Sequence, residues 1–348
     1  MKGIGIIGLG STVAIANFHE KGIRADGRIK ISAVYDVDYD NAVKWVEERG
    51  LDCVIAKDLD ELLANCDVVD ICSPNFTHCD YVVKALEAGK HVFVEKPPAL
   101  NAEEAKREVE AVEGKNLVNM VGYIYRYSNA MIALKKFVRE RIGKIYTYST
   151  YYGGRRLADP RIPLEWRFVR KTSGSGAIAD FGSHVVDIAR FITGEKIEKV
   201  TAMKNTFIPT RPENAKGQTV VENDDACVFG GVTENGILIS ATVSRVGMDD
   251  MRVVIAGEGG MVSLTMRESD RMLYWEKQIG GAYTEKVETI EIPGQIYFDG
   301  WFETEMREFI DALSGENVDY PTLEDGYYVE KVLAAIEKAA DEKREIKI

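Results

Sequence analysis

The chain has few of the residues that staple a fold or bind metal. Its 348 residues hold five cysteines, Cys53, Cys66, Cys72, Cys79 and Cys227, and none forms a Cys-x-x-Cys pair. An odd, scattered set fits reduced thiols rather than a disulfide framework. No spacing of His, Cys, Asp and Glu suggests a metal site, so none is expected. A run of about eighteen apolar residues, the length that spans a bilayer, is missing, and Gly3-Ile4-Gly5-Ile6-Ile7-Gly8 reads as a strand rather than a secretory leader. A cytoplasmic protein with no membrane partner is therefore expected. Positive charge is also scarce: 44 Lys and Arg against 56 Asp and Glu give a net charge of -12. That balance argues against nucleic-acid binding, which needs clustered cations on phosphates. What remains is an ordinary globular composition, 45% hydrophobic and 29% charged, without low-complexity tracts or repeats. It is long enough for two domains.

The first third alternates strands and helices. Ile4 to Leu9 is apolar and glycine-broken, Ser11 to Lys21 carries a helical pattern, and Lys30 to Tyr35 forms a second strand ending on Asp36. Gly8-Leu9-Gly10 thus lies between strand and helix, with a carboxylate at the tip of the next strand, the pattern of dinucleotide binding. Glycines let backbone N–H groups approach a pyrophosphate, the helix start adds unpaired donors, and Asp36 suits two ribose hydroxyls. The third position of the glycine fingerprint is Val13. Asp36 would repel a 2′-phosphate and Val37 offers no cation, so NAD is favoured over NADP. Further units follow: Cys53 to Ala56 leads to Leu59 to Leu63, and Val68 to Cys72 enters Ser73-Pro74-Asn75. His78 to Ala88 is then a helix, and His91 to Val94 is a strand ending on Glu95-Lys96-Pro97. In a doubly wound parallel sheet ligands gather at the carboxyl ends of strands, so Asp36, Ser73-Pro74-Asn75 and Glu95-Lys96 should line one crevice.

Leu117 to Gly122 completes this region, and the boundary is placed there: residues 1–122 as the dinucleotide-binding domain, 123–348 as the second. After a helix over Asn129 to Arg139 come β-rich stretches (Ile145 to Tyr152, Val200 to Asn205, Asp225 to Gly231, Gly236 to Ser244, Met251 to Ala256, Met261 to Leu264). They imply a mostly antiparallel open sheet. Trp301 to Leu313 and Leu323 to Ala340 read as closing helices, making this an α+β domain.

Within it, a helix starts near the middle of Ser173 to Arg190. At about 100° per residue Asp180, His184 and Asp187 fall within about 60° of one another, opposite an apolar stripe of Val185, Ile188, Ala189 and Ile192. A carboxylate beside an imidazole is what a general base wants. Alternatively Asp180 caps the helix and His184 is a packed, hydrogen-bonded histidine. Lys96 weighs toward the chemical reading. His19, His78 and His91 read as structural.

Gly8-Leu9-Gly10, Cys72-Ser73-Pro74-Asn75-Phe76-Thr77-His78, the run Ala85 to Pro97 and Asp180-x-x-x-His184 together resemble the glucose-fructose oxidoreductase/inositol dehydrogenase (Gfo/Idh/MocA) family over essentially the whole chain. Phe309 and Asp325-Gly326 fit the family's ending. The resemblance implies a Rossmann domain holding NAD through Gly8, Gly10, Ser11, Thr12, Asp36, Val37, Ser73, Pro74, Asn75, His78, Glu95 and Lys96. It implies a CH–OH dehydrogenase acting on a sugar, sugar derivative or cyclic polyol such as inositol. Lys96, Asp180 and His184 would be catalytic, and Tyr125, Arg126, Trp166 and Arg167 would contact the substrate. His184 would take the hydroxyl proton as hydride leaves the same carbon, Lys96 would polarise the oxygen, and Asp180 would orient substrate or imidazole. Two other readings stand beside it: an NAD-dependent glycoside-cleaving relative without net redox, and a non-catalytic sugar or dinucleotide sensor. Arg155, Arg156, Arg161, Arg167, Arg170 and Lys171 concentrate charge in one stretch, read as a solvated loop in preference to an anion site. The second domain's sheet should expose a face, which suggests a homodimer or homotetramer.

Overall fold

The computed structural model describes residues 1–10, 15–213, 217–294 and 298–348. The chain divides into two compact units, Met1–Tyr127 with Ile296–Tyr328 and Ser128–Gln295 with Val329–Ile348. The first passage between them falls a few residues beyond Gly122. The first unit also takes in a late segment of the chain, because a helix over Phe298–Leu313 packs on it.

The first unit alternates β1 (Gly3–Ile7), α1 (Ala16–Asp26), β2 (Lys30–Tyr35), α2 (Tyr39–Arg49), β3 (Val54–Ile55), α3 (Leu59–Ala64), β4 (Val68–Ile71), α4 (His78–Glu87), β5 (His91–Glu95), α5 (Ala102–Val112) and β6 (Asn119–Gly122). All six strands are parallel, in the order β3-β2-β1-β4-β5-β6. The fully buried β1 and β4, covered on both faces, explain the continuous apolar runs seen in the sequence. Asp38, Asp58 and Asn101 cap α2, α3 and α5 by accepting backbone N–H groups of the first turn. Helix α1 is described from Ala16, and Ser11, Thr12 and Val13, where the helical pattern in the sequence begins, lie outside the described residues. It runs past Lys21 to Asp26, where Gly27 at φ 74° supplies the left-handed stop. The Phe298–Leu313 helix lies against it: the Phe18 and Phe302 rings stack at 4.8 Å, and a Cβ on Gly22 would sit 3.0 Å from the Met306 side chain.

The second unit contains α6 (Asn129–Phe137), β7 (Ile145–Gly153), α7 (Arg170–Ser173), α8 (Ala177–Asp180), α9 (Gly182–Thr193), β8 (Ile197–Asn205), β9 (Thr210–Pro212), β10 (Gln218–Val220), β11 (Ala226–Thr233), β12 (Leu238–Ser244), β13 (Asp250–Gly257), β14 (Gly260–Thr265), β15 (Arg271–Glu276) and β16 (Glu288–Glu291). The chain ends with α10 (Phe298–Leu313, in the first unit), α11 (Leu323–Glu342) and β17 (Ile346–Lys347). Nine strands form one sheet in the order β16-β15-β14-β13-β7-β12-β11-β8-β17. Every pairing in it is antiparallel except β7 with β12. The β9–β10 ribbon and the outer strands β15, β16 and β17 were not anticipated; several are very short or, like Glu-Thr-Ile-Glu in β16, carry no apolar alternation. No helix among the described residues is long and apolar enough to cross a membrane.

Candidate active site

Strand order in the first unit's sheet reverses between β1 and β4, the topological switch point outside whose carboxyl ends ligands bind in such sheets. Gly8 follows β1 there with φ 83°, and Gly10 has φ 59°. A Cβ on Gly8 would lie 2.5 Å from the backbone N and Cα of Ser73, so the turn after β1 rests directly on the loop after β4. Asp36 follows β2 directly and accepts the Leu9 N–H at 2.8 Å through Oδ2, and the Asp38 N–H at 3.0 Å through Oδ1. Its carboxylate thus braces the glycine turn as well as offering oxygens at the strand tip. Val37 beside it is 86% exposed and brings no cation. A glycine turn with positive φ, close backbone approach and a strand-tip carboxylate without a cation is the donor set that fits NAD. Asp36→Ala is accordingly expected to raise the Kd for NAD and shift the NAD/NADP preference about tenfold toward NADP, the scale of one lost charged contact. Equilibrium titration with both cofactors checks this, and an unchanged ratio would count against the assignment.

The loop after β4 is held by its own polar groups. Ser73 Oγ and Thr77 Oγ1 lie 2.7 Å apart, and the Thr77 hydroxyl donates to Pro74 O at 2.8 Å. Asn75 is buried. His78, also buried, ties this loop to the one after β5: Nε2 is 2.7 Å from Ser73 O and Nδ1 is 2.8 Å from Pro97 O. Carbonyls only accept, so both contacts are hydrogen bonds when the ring carries two N–H groups. Burial opposes that charge and pulls the imidazole below its ordinary value, against the Ser73 and Pro97 carbonyls that favour it. His78 therefore joins the loops that the sequence places at the cofactor.

Lys96 follows β5 directly, half-buried, with a cis peptide to Pro97. Its backbone N–H donates to Glu95 Oε2 at 3.2 Å. Glu95 itself turns inward, toward His19, whose Nε2 is 3.3 Å from Glu95 Oε1. The His19 Nδ1 lies 3.0 Å from both Asp70 oxygens and 3.3 Å from Cys72 Sγ. The ring nitrogen, carboxylate oxygen and sulfur of His19, Asp70 and Cys72 lie within 4.8 Å of one another, as do the corresponding nitrogen and oxygens of His19, Glu95 and Glu305. Sequence reading missed this cluster: its members are scattered from residue 19 to residue 305, with no spacing to announce them. Tyr125 and Arg126, on the turn Ile124–Tyr127 after β6, are half-buried, and the Tyr125 ring lies 5.7 Å from that of Trp301.

In the second unit the helix expected to start near the middle of Ser173 to Arg190 comes in two pieces. Asp180 ends the short α8, and α9 begins at Gly182 after Phe181. The even 100° wheel that grouped Asp180 with His184 therefore does not run through Phe181. Along α9, His184 and Asp187 are buried beside Val185, Ile188, Ala189 and Ile192, so they do not form a solvated face. The His184 ring meets Tyr152 edge-on at 5.9 Å.

A residue unmarked in the sequence reading holds the start of α8. Asp224 accepts the Gly176 N–H at 2.7 Å through Oδ1 and the Ile178 N–H at 3.0 Å through Oδ2, while its carbonyl accepts the Ala177 N–H at 3.1 Å. Any side chain on Gly176 would overlap the Asp224 carbonyl. Burial pushes the Asp224 carboxyl up, and the two N–H groups draw it back. Next to it Asp225 pairs with buried Arg245 at 2.8 Å, and Asn223 Nδ2 donates to Arg167 O and Ser173 Oγ. The only sequence signal is the polar run Glu222-Asn223-Asp224-Asp225 at the entry to β11. Asp224→Ala strands two buried N–H groups and is expected to cost about 2–4 kcal/mol, read as a fall in melting temperature. Asp224→Asn, which keeps an acceptor, should lose less; equal losses would mean the hydrogen bonds are not what Asp224 contributes.

Each arginine of the arginine-rich stretch meets a carboxylate, some of them distant in sequence. Arg155 meets Asp249 at 2.7 Å, Arg156 meets Glu165 at 2.9 Å, Arg161 meets Asp159 at 2.6 Å and Arg170 meets Glu337 at 2.6 Å. Arg167 lies 3.4 Å from Glu165 and stacks over Trp166 at 4.3 Å. Beneath them Phe168, packed with Leu157 and Val221, carries Arg211 and Arg245 over its ring at 4.1 and 4.8 Å.

A parallel sheet with a glycine turn at its switch point, a strand-tip carboxylate and a strand-end lysine defines an NAD-binding oxidoreductase domain. Residues 2–123 match the family described as "Oxidoreductase family, NAD-binding Rossmann fold", and residues 131–263 match the "GFO/IDH/MocA C-terminal domain". The chain belongs to the Gfo/Idh/MocA family of oxidoreductases. It is 43% identical over 151 residues to a levoglucosan dehydrogenase of Pseudarthrobacter phenanthrenivorans, a match covering 43% of this chain and 38% of that one. Across nearly the full length of both proteins it is 27% identical to the glucose-6-phosphate 3-dehydrogenase of Bacillus subtilis (96% and 95% covered). The same identity holds for a myo-inositol 2-dehydrogenase of Thermotoga maritima (99% and 98%). Levoglucosan dehydrogenase solved with NADH and levoglucosan superposes with a TM-score of 0.88 at 26% identity, covering 100% of this chain and 99% of that one.

Proposed function

We propose that the protein is an NAD-dependent dehydrogenase that oxidises a CH–OH group of an uncharged sugar or cyclic polyol. The observation that carries this reading is the meeting of the Gly8 turn and the Ser73 loop at the switch point, one strand from Lys96. NAD, when bound, supplies the hydride acceptor. Lys96 polarises the substrate oxygen with its ammonium, His184 accepts the hydroxyl proton, and Asp180 orients the imidazole or the substrate. Tyr125, Arg126, Trp166 and Arg167 are the substrate contacts in this reading. Full-length relatives named for inositol and for glucose 6-phosphate leave two charge classes of substrate to choose between. The carboxylate partners of Arg155, Arg156, Arg161, Arg167 and Arg170 favour the neutral class, since an anion would have to compete with them.

The test is NADH formation with inositols, neutral aldoses and anhydrosugars against sugar phosphates and uronates. A higher kcat/KM for a neutral substrate supports the reading, and preference for a phosphate overturns the substrate class. Silence throughout, with tight NAD binding, would point to the glycoside-cleaving or sensing alternatives. The same proposal includes a cytoplasmic setting and a homodimer or homotetramer. Supporting the latter, β8 and β11 place exposed Met203 and Val228 opposite each other on one face of the sheet, with Leu238 of β12 also exposed. Light scattering of the purified protein measures the subunit number.

A further inference from the structure

The buried cluster behind β5 is left unused by the reaction as described. Its centre is His19, on α1, wholly buried between two carboxylates on two different strands. Asp70 of β4 stands 3.0 Å from Nδ1 and Glu95 of β5 stands 3.3 Å from Nε2. Cys72, just after β4, lies 3.3 Å from Nδ1, and Glu305 of α10 completes the surroundings. Phe93 and Phe302 face the ring at 5.0 and 5.6 Å and exclude solvent from it. Glu95 is also the residue whose other oxygen accepts the Lys96 backbone N–H. A Cβ on Gly122 of β6 would come within 2.8 Å of Glu95 Oε1, so the carboxylate occupies space that only glycine leaves there.

We propose that His19 is a positioning residue for Lys96: it spans Asp70 and Glu95, and through Glu95 it fixes the backbone from which Lys96 projects. The inference rests on Lys96 acting in the reaction proposed above. The Nδ1–H donates to ionised Asp70, whereas Nε2 meets Glu95 Oε1 at 3.3 Å as a charge contact without hydrogen-bond geometry, a contact that attracts when the ring is an imidazolium. Burial alone would pull such a ring down, but the Asp70 charge, with Cys72 and the hydrogen bonds of both, holds His19 well above its ordinary value. The ring sits in the protein interior, and its contact nearest Lys96 is Glu95, whose Oε2 accepts the Lys96 backbone N–H.

The experiment uses the full chain and the substrate identified by the dehydrogenase panel. His19→Gln, Glu95→Gln and the double variant are compared for kcat, KM, Kd for NAD and melting temperature. His19→Gln is expected to lower kcat roughly tenfold, the scale of a misplaced catalytic group, with KM and the NAD Kd within about threefold of the parent. Because His19 acts through Glu95, the double variant should be little worse than either single one. An unchanged kcat, a loss confined to stability, or additive losses in the double variant overturns the proposal. Should His19→Gln fail to fold, the parent protein decides: nitrogen NMR of the histidine rings is expected to show His19 doubly protonated at neutral pH. A neutral ring there overturns the clamp. Full activity of Lys96→Ala would instead defeat the underlying reading, so the two failures are distinguishable.

Discussion

Lys96→Ala is expected to lower kcat by roughly 10²–10⁴-fold, the usual contribution of a positioned proton-handling group, while the Kd for NAD moves by no more than a few-fold. The asymmetry follows from where the side chain is rooted. Lys96 contributes its backbone N–H to Glu95, and the following Pro97, Pro98 and Ala99 are buried, so the loop is anchored by groups that the substitution leaves in place. The Gly8 turn, the Ser73 loop and the His78 bridge between Ser73 and Pro97 involve main-chain atoms and other side chains. Steady-state kinetics together with NAD titration separate the two effects. Undiminished turnover in this variant would remove Lys96 from the reaction, and a parallel loss of NAD binding would make it a cofactor residue instead.

Gly8→Ala should abolish tight NAD binding, with a Kd rise of a hundredfold or more, or should prevent the first unit from folding. Two costs combine. The backbone at φ 83° disfavours any L side chain, about 1–2 kcal/mol, and the new methyl would lie 2.5 Å from Ser73 backbone atoms that cannot rotate away. Relieving the overlap separates the turn from the β4 loop, the two segments that the cofactor is expected to touch. Gly89→Ala is the control: its φ of 73° carries a similar conformational cost, yet nothing lies within 4 Å of the added carbon. Melting curves with and without NAD read the outcome, because a ligand that binds only the folded form raises Tm. An NAD-dependent rise in Gly8→Ala equal to the parent's would mean that the close approach is not needed for binding.

The first unit was legible because parallel strands buried on both faces, such as β1 and β4, leave apolar runs, and because Gly8, Asp36 and Lys96 each lie just past the end of a strand. The family resemblance was legible for the same reason, since its motifs are the strand ends. What escaped notice was set by contacts distant in sequence. His19, Asp70, Glu95 and Glu305 form one cluster only after β4, β5, α1 and α10 have packed. The break at Phe181 was hidden because Asp180 to Ile192 keeps a helical rhythm, and only Asp224, more than forty residues on, fixes α8 as a separate turn. The pairs Asp159–Arg161 and Glu165–Arg167 could have been read from adjacency, whereas Arg155–Asp249 and Arg170–Glu337 could not.

The place of β7 in its sheet has a consequence for how the chain reaches this structure. Both neighbours of β7 come much later in the sequence: β12 pairs with it in parallel over Leu238–Ser244, and β13 pairs antiparallel over Asp250–Gly257. Loop closure over such separations is slow, and parallel pairing cannot be reached through a hairpin. During synthesis, then, the segment Ile145–Gly153 leaves the ribosome with both edges open and stays unpaired until about a hundred more residues have followed. Its Tyr- and Thr-rich sequence, Ile-Tyr-Thr-Tyr-Ser-Thr-Tyr-Tyr-Gly, is strongly strand-forming and uncharged. Open edges on such a strand are a template for pairing between nascent chains.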